Sequence, residues 1–286
     1  MADNYLTIDV EEYFEEAPAE VAAGCVSRLE DEMHRCLDIL ESTSNGATFF
    51  FLASRAKEHP SLVKEVIKAG HEVASHGLDH LFFDKLPQEQ QIQQAQQSIE
   101  IISDIAGEGI LGFRAPYFSV KAKNCELLRE LAASGIRYDS SVFPVHHPDY
   151  GWPGTPHLPY RIDFGDEVNL LEIPPTTMSV AGLRTGVGGG GYLRIYPFWM
   201  TKNVLNSRVR RGEPLVVYFH PWELDPRQPR LRLKLRFPLR HYINLSTTEK
   251  RVKWVLENYD FSPCRDALNG TEFDTHDLDS LCRPRR

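Results

Sequence analysis

The stretch that decides the fold is short and apolar throughout: residues 48–52 read TFFFL. A strand that is apolar on both faces is typical of a parallel sheet covered by helices, because such a sheet buries both faces of its strands. An antiparallel sheet with one face in water would show alternating polar and apolar residues instead. This stretch therefore predicts an α/β protein with a mainly parallel sheet.

Apolar runs and helical periodicity alternate on both sides of this strand. Further strands are predicted at residues 5–10, 71–74, 110–113, 136–139, 169–173 and 215–219. Helices are predicted at residues 27–42, 61–69, 87–105, 124–134, 197–211 and 248–258. Over 286 residues this alternation predicts a distorted (β/α) barrel that forms a single catalytic domain. We assign residues 1–262 to the barrel and residues 263–286 to a C-terminal tail.

Composition excludes several classes of protein. A net charge of -8 argues against non-specific binding of nucleic acid over the whole surface. The five cysteines are scattered without CxxC spacing, which favours free thiols in a reducing compartment over a disulfide framework. The N-terminus has no secretory signal pattern, and no run approaches the roughly 18–20 apolar residues of a membrane span. We therefore expect a cytoplasmic protein without a transmembrane segment.

Polar side chains follow five of the predicted strands, at the ends that form the catalytic rim of a barrel. They are Asp9 and Glu11, the pair His76 and His80, Arg114, Asp139, and His220. Two histidines four residues apart can offer two imidazole nitrogens to one cation, and a carboxylate would complete a three-ligand site with an open position. A His-x3-His pair alone is more often ordinary surface or core histidine. Five polar motifs at strand ends favour a catalytic metal site.

These motifs occur in a recognisable order along the chain. An acidic pair, a His-x3-His, an Arg-x-Pro, an Asp-x-Ser and a late strand ending in histidine follow one another from residue 7 to residue 220. In this order the chain resembles the polysaccharide deacetylase family, the chitin-oligosaccharide deacetylase-like carbohydrate esterases. The sequences DVEEYF at 9–14, GGGGY at 188–192 and HPWE at 220–223 resemble the branch associated with bacterial exopolysaccharide and exosortase gene clusters.

One departure from the family concerns the metal ligand. The family's usual motif has two adjacent aspartates, a base and a ligand, whereas Asp9 is followed by Val10, which cannot bind a metal. Side chains alternate along a strand, so positions 9 and 11 face the same side. We therefore favour Glu11 as the carboxylate ligand and keep Glu12 in reserve. An Asp-x-acid arrangement also occurs in relatives with peptidoglycan-like or small amide substrates.

The resemblance implies metal-assisted hydrolysis of an N-acetyl amide. It implies a divalent metal, with zinc as the default, held by Glu11, His76 and His80. It also implies Asp9 as general base, paired with Arg114, and His220 as general acid. Asp139 is expected to orient His220 and raise its pKa, and the backbone N–H of Tyr117 to stabilise the oxyanion.

The implied substrate is an N-acetylated oligo- or polysaccharide, such as a bacterial exopolysaccharide or its lipid-linked precursor. Two alternatives stay open: an allantoinase-like amidohydrolase of small cyclic amides or imides, and an inactive relative that only binds carbohydrate. Asp9, Arg114 and His220 together argue against the inactive relative, because binding alone needs neither base nor acid. Residues 227–241 alternate basic and apolar residues. As an extended segment they would have a cationic face. The simpler interpretation is a solvated face anchored by its leucines, and the alternative is peripheral association with the inner face of the membrane.

Overall fold

The computed structural model describes residues 3–165, 168–231, 237–270 and 272–282. The strands are β1 (Asn4–Val10), β2 (Thr48–Phe51), β3 (Glu72–Ser75), β4 (Gly112–Phe113), β5 (Tyr138–Asp139), β6 (Tyr160–Asp163), β7 (Asn169–Glu172), β8 (Thr177–Val180), β9 (Leu183–Gly186), β10 (Val216–Phe219), β11 (Phe261–Ser262) and β12 (Thr275–Asp277). The helices are α1 (Ala19–Ala22), α2 (Leu29–Thr43), α3 (Ala53–Glu58), α4 (Pro60–Lys68), α5 (Gln88–Ala106), α6 (Glu126–Ala133), α7 (Gly190–Ile195), α8 (Phe198–Arg210), α9 (Phe237–Tyr242), α10 (Leu245–Asn258) and α11 (Leu278–Cys282).

The main sheet has the strand order β10-β1-β2-β3-β4-β5-β7-β6-β12, with β11 also paired to β1. Its neighbours pair in parallel except for β6 and β7, which are antiparallel. After β7 the chain returns to the opposite edge, where Thr176 N donates to the carbonyl oxygen of Val216 at 2.9 Å. This contact joins the segment that follows β7 to the β10 edge of the sheet. The predicted α/β class with a mainly parallel sheet, in a single domain, is confirmed.

Both faces of the central strands are buried, as the TFFFL stretch predicts. Phe49 and Phe51 pack in the larger core beneath the helices, whereas Phe50 belongs to a second cluster with Tyr5 and Tyr138. The same alternation holds in β1, whose even-numbered residues Leu6, Ile8 and Val10 lie in the helix-covered core. The odd-numbered residues of β1 therefore face the other side, and Asp9 ends the strand on that side.

The segment predicted to be a C-terminal tail is folded over its described residues. β12 pairs in parallel with β6, and Leu278 and Leu281 of α11 are buried in the main core. All five cysteines are free thiols, and Sγ of Cys282 lies 2.6 Å from Sγ of Cys125. The described residues beyond 262 thus extend the sheet and pack against the barrel.

Two further differences from the sequence prediction concern the second half of the chain. The β8–β9 hairpin and strand β6 were not predicted, because unlike β2 and β10 they contain no continuous apolar run. The prediction of an extended segment at 227–241 is wrong for residues 237–241, which belong to α9. Pro238 is the second residue of that helix, where its missing N–H costs nothing. Residues 232–236 lie outside the described residues.

No helix in the described part of the chain is long and apolar enough to cross a membrane.

Candidate metal and acid–base site

A cleft of about 60 Å³ lies at the carboxyl ends of β1, β3 and β10. Most of the residues predicted from the sequence line it: Asp9, Glu11, His76, His80, Tyr117 and His220. The strands of a parallel sheet deliver their following residues to one edge, which is why motifs far apart in sequence meet here.

Two histidines converge on one carboxylate oxygen in this cleft. His76 Nε2 and His80 Nε2 each lie 2.9 Å from Oε1 of Glu11. The ligand atoms of this trio all lie within 4.8 Å of one another, as a single metal ion requires. The carboxylate of Glu12 accepts instead from the backbone N–H of Arg28 at 3.4 Å. The structure therefore brings Glu11, and not Glu12, to the histidine pair.

The hydrogen bonds of His76 test whether a cation fits this site. Its Nδ1 lies 2.8 Å from the carbonyl oxygen of Arg114, which only accepts, so Nδ1 carries the proton. In a neutral ring Nε2 then carries a lone pair that points at Oε1 of Glu11. Two hydrogen-bond acceptors would thus lie 2.9 Å apart with no proton between them. A cation or a proton must lie between them. Two imidazoles and one carboxylate are the donor set of catalytic zinc sites, so the residues fit a divalent metal.

The field of the histidines keeps Glu11 ionised. Burial alone would raise its pKa, but His80, His220 and the contacts with His76 hold the pKa of Glu11 well below its usual value. A carboxylate that stays charged in a buried cleft is suited to bind a cation.

Asp9 is held beside the trio by a buried arginine. Arg114 Nη1 donates to Oδ1 of Asp9 at 2.6 Å and to Oγ1 of Thr7 at 2.9 Å. Its Nη2 donates to Oγ of Ser140 at 2.7 Å, so the guanidinium is fixed from both sides. The carboxylate of Asp9 is thereby aimed, with Oδ2 at 4.0 Å from Nε2 of His220.

His220 lies beside Asp9 and Glu11 and has its own acid partner. Its Nε2 is 3.8 Å from Oε2 of Glu11, and its Nδ1 is 3.1 Å from Oε2 of Glu223. Burial would lower the pKa of His220, but Glu11, Glu223 and Asp9 raise it to about 9. Glu223 is in turn paired with the buried Arg194, whose Nε lies 2.7 Å from Oε1.

Two family models match consecutive parts of the chain. Residues 14–136 match the model described as polysaccharide deacetylase. This part of the chain is similar to polysaccharide deacetylase domains. Residues 140–269 match a domain of unknown function, DUF3473. Asp9 and Glu11 precede the deacetylase match, and His220 lies in the DUF3473 segment. The narrower exopolysaccharide and exosortase branch stays a prediction.

Curated relatives share parts of this sequence. Over 158 residues the chain is 26% identical to the peptidoglycan deacetylase of Helicobacter pylori, covering 55% of this chain and 49% of that protein. It is 32% identical over 106 residues to the putative polysaccharide deacetylase YheN of Bacillus subtilis, covering 36% of this chain and 37% of that protein. The chain thus spans about half, or less, of the length of these relatives.

Solved structures share the fold over most of the chain. A putative polysaccharide deacetylase from Mycobacterium smegmatis superposes with a TM-score of 0.59 at 20% identity, covering 92% of this chain and 87% of that one. The Puue allantoinase gives a TM-score of 0.61 at 16% identity, again covering 92% and 87%. At these identities the similarity concerns the fold alone.

The predicted contact between Asp139 and His220 is wrong. Asp139 accepts from the backbone N–H of Ser141 at 2.8 Å and from its hydroxyl at 2.7 Å. The Ser141 hydroxyl also accepts from the backbone N–H of Ala115. Asp139 therefore stabilises, through Ser141, the loop that contains Arg114. Glu223, and not Asp139, is the acid beside the His220 ring, because the 3-10 turn Pro221–Leu224 brings residue 223 back to residue 220. The HPWE sequence at 220–223, with its acidic residue three positions after the histidine, could have indicated this contact.

Tyr117 lies at the rim of the cleft in a left-handed backbone conformation, with φ at 57° and ψ at 16°. Its ring stacks on Phe82 at 3.8 Å between centroids and lies 4.2 Å from the ring of His80. Non-glycine residues adopt this conformation rarely, and such strain concentrates at functional sites. The turn fixes Tyr117 beside His80.

The DUF3473 segment contributes side chains that the sequence did not predict. Besides Glu223 and Arg194, the guanidinium of Arg240 lines the cleft and lies 5.4 Å from the Tyr150 ring. The four glycines at 188–191 leave room for these side chains. A Cβ on Gly189 would collide with the carbonyl oxygen of Tyr218, and one on Gly191 would lie 3.0 Å from Cγ of Arg240.

Proposed function

We propose that this protein is a metal-dependent deacetylase that removes N-acetyl groups from amino sugars of a bacterial exopolysaccharide or its lipid-linked precursor. One observation carries the proposal: Glu11 meets Nε2 of both His76 and His80 at 2.9 Å, with Asp9 and His220 beside this trio. The relatives named as peptidoglycan and polysaccharide deacetylases support hydrolysis of an N-acetyl amide on a sugar.

In this proposal Glu11, His76 and His80 hold a divalent cation, with zinc as the default metal. The cation, when bound, polarises the acetyl carbonyl and lowers the pKa of a water molecule. The backbone N–H of Tyr117 is the proposed additional donor to the oxyanion.

The reaction adds water to the acetyl carbonyl and breaks the C–N bond, giving acetate and a free amine. Asp9 accepts the proton of the attacking water, and Arg114 keeps its carboxylate aimed through the 2.6 Å contact. His220 donates its Nε2 proton to the leaving nitrogen, because a sugar amine leaves poorly unless it is protonated. Glu223 holds Nδ1 of His220 and favours the protonated ring.

Mass spectrometry of N-acetylglucosamine oligomers tests this function. Incubation with the protein and added zinc should remove one acetyl mass per reacting sugar, and stripping the metal should stop the reaction until metal is restored. Allantoin and small cyclic imides form the parallel arm. Turnover of those compounds with none of the oligomers would contradict the proposal. The absence of turnover on every substrate after metal loading would also contradict it.

A further inference from the structure

Several charged side chains of the cleft belong to ion pairs. Asp9 is paired with Arg114, Glu15 with Arg55 at 2.7 Å, and Arg194 with Glu223 at 2.7 Å. Arg240 differs, since within the described ranges no carboxylate oxygen lies within 4.0 Å of its guanidinium. An arginine is permanently charged, so the cleft contains one cation without a close counterion.

The neighbours of Arg240 are mainly neutral aromatic groups. Its guanidinium lies over the Tyr150 ring, and the hydroxyls of Tyr150 and Tyr192 are 2.6 Å apart. Burial would lower the pKa of Arg240, but these tyrosines, Tyr218 and Glu16 keep it raised. Glu16 lines the same cleft, but no oxygen of its carboxylate lies within 4.0 Å of the guanidinium. Keeping a cation here without an ion pair costs free energy that a bound anion would recover.

We propose that Arg240 binds a carboxylate of the substrate, so that the N-acetylated glycan processed in this cleft is acidic. This inference rests on the proposed deacetylase function and narrows its substrate class. A guanidinium presents parallel N–H donors that match both oxygens of a carboxylate, which gives orientation as well as affinity. The carboxylate has two chemical sources: a uronic acid next to the acetylated sugar, or a lactyl ether on the acetylated sugar itself.

The position of Arg240 distinguishes this role from the other charges of the site. Arg114 and Arg194 also lie in or near the cleft, but both are saturated by protein acceptors. Arg240 comes from α9, in the DUF3473 segment, and reaches the cleft past Gly191. It is therefore placed to select the substrate, while residues 3–136 supply the metal ligands and the base.

The test compares an acidic and a neutral oligosaccharide on matched variants of the metal-loaded protein. The acidic probes are a hyaluronan tetrasaccharide, with glucuronate beside N-acetylglucosamine, and an N-acetylglucosaminyl-N-acetylmuramic acid disaccharide. The neutral probe is a chitin tetramer. The variants are Arg240→Gln, Arg240→Lys, and the control Arg230→Gln, because Arg230 is exposed and stacks on Tyr242 outside the cleft. Acetate release gives kcat and KM, and calorimetry gives the dissociation constant.

We expect the wild type to prefer at least one acidic probe, and Arg240→Gln to raise KM for that probe about tenfold or more with little change in kcat. Arg240→Lys should recover part of the affinity, and turnover of the chitin tetramer and the behaviour of Arg230→Gln should be unchanged. The acidic probe that loses affinity identifies the source of the carboxylate. Equal use of neutral and acidic probes by the wild type would overturn the proposal, as would an equal loss on all probes in Arg240→Gln.

Binding separates this inference from the deacetylase function itself. If no probe is turned over, the proposed function fails. Calorimetric binding of an acidic probe to the wild type but not to Arg240→Gln would still support the anion site. Loss of both turnover and selective binding would overturn both.

Discussion

The amino-terminal part of the chain (residues 3–136) and the carboxyl-terminal part (residues 140–269) contribute different chemistry to one cleft. The amino-terminal part supplies the proposed ligands Glu11, His76 and His80, and also the Asp9–Arg114 pair. The carboxyl-terminal part supplies the His220–Glu223 pair and also Arg240. The first part thus contains the groups that activate water, while the second contains the proton donor and the groups that would recognise the rest of the substrate.

This division means that variants in the two parts should fail in different ways. Loss of a ligand should remove the metal and the activity together. Loss of the acid or its partner should leave the metal in place and change the rate or its pH dependence.

The largest effect is expected from the ligands. His76→Ala, His80→Ala and Glu11→Gln should each abolish activity and lower zinc content, measured by elemental analysis beside acetate release, because three protein donors are the minimum of such a site. Glu12→Gln should retain metal, since its carboxylate faces Arg28. His34→Ala is the control, because His34 is exposed and pairs with Glu65. Full metal content in the first three variants would refute the ligand assignment.

The next effect concerns the base and the acid, one from each part of the chain. Asp9→Asn and His220→Ala should keep the metal and lose about 10²–10⁴-fold in turnover, as removal of a general base or acid commonly does. Elemental analysis and single-turnover assays check this on the same samples. A near-normal rate in either variant would remove that residue from the mechanism.

A smaller effect separates Glu223 from Asp139. Glu223 raises the pKa of His220, so Glu223→Gln should lower it. A general acid works only while protonated, and activity falls as pH rises through its pKa, so the alkaline limb of the rate profile should move to lower pH by about one to three units. Asp139→Asn should leave that limb in place. A shift with Asp139→Asn and none with Glu223→Gln would restore the original assignment.

The Glu223 experiment needs a stability control. Glu223→Gln leaves the buried Arg194 without its carboxylate, and breaking a buried ion pair commonly costs about 3–5 kcal/mol. Thermal unfolding followed by circular dichroism shows the temperature range in which the variant is folded, and the pH profiles are compared within that range.

The smallest effect is expected from three residues of the basic run at 227–241 that lie outside the described part of the chain. Changing Arg232, Lys234 and Arg236 together to Gln should weaken association with anionic liposomes by a few-fold to tens of fold, since each surface cation contributes about 1 kcal/mol or less. Rising salt should weaken wild-type association in the same way. Turnover of a short neutral oligosaccharide should be unchanged, and an equal loss on both measurements would assign these residues to the fold.

The sequence predicted the site where it depends on local geometry. Alternation along β1 places Asp9 and Glu11 on the same side, and the four-residue spacing brings His76 and His80 to one carboxylate. The strand ends of a parallel sheet then bring these motifs together without any knowledge of side-chain packing.

The sequence failed where position depends on how distant elements pack. Glu223 displaced Asp139 as the partner of His220 because a single turn decides which acid reaches the ring. Arg240 was predicted to lie on an exposed cationic face, yet α9 directs it into the cleft. No periodicity in the basic run distinguishes this arginine from its neighbours, because its burial depends on the glycine run about 50 residues earlier.

The place of β1 in the sheet has a consequence for how the protein is made. Tyr5 pairs with Val216, so β1 gains its neighbour β10 only after some 200 more residues have been synthesised. Pairing across such a separation is slow to form. A nascent chain therefore exposes one edge of β1, beside Asp9 and Glu11, for most of its synthesis. The proposed metal ligands can therefore meet early, whereas His220 joins them only after β10 has paired with β1.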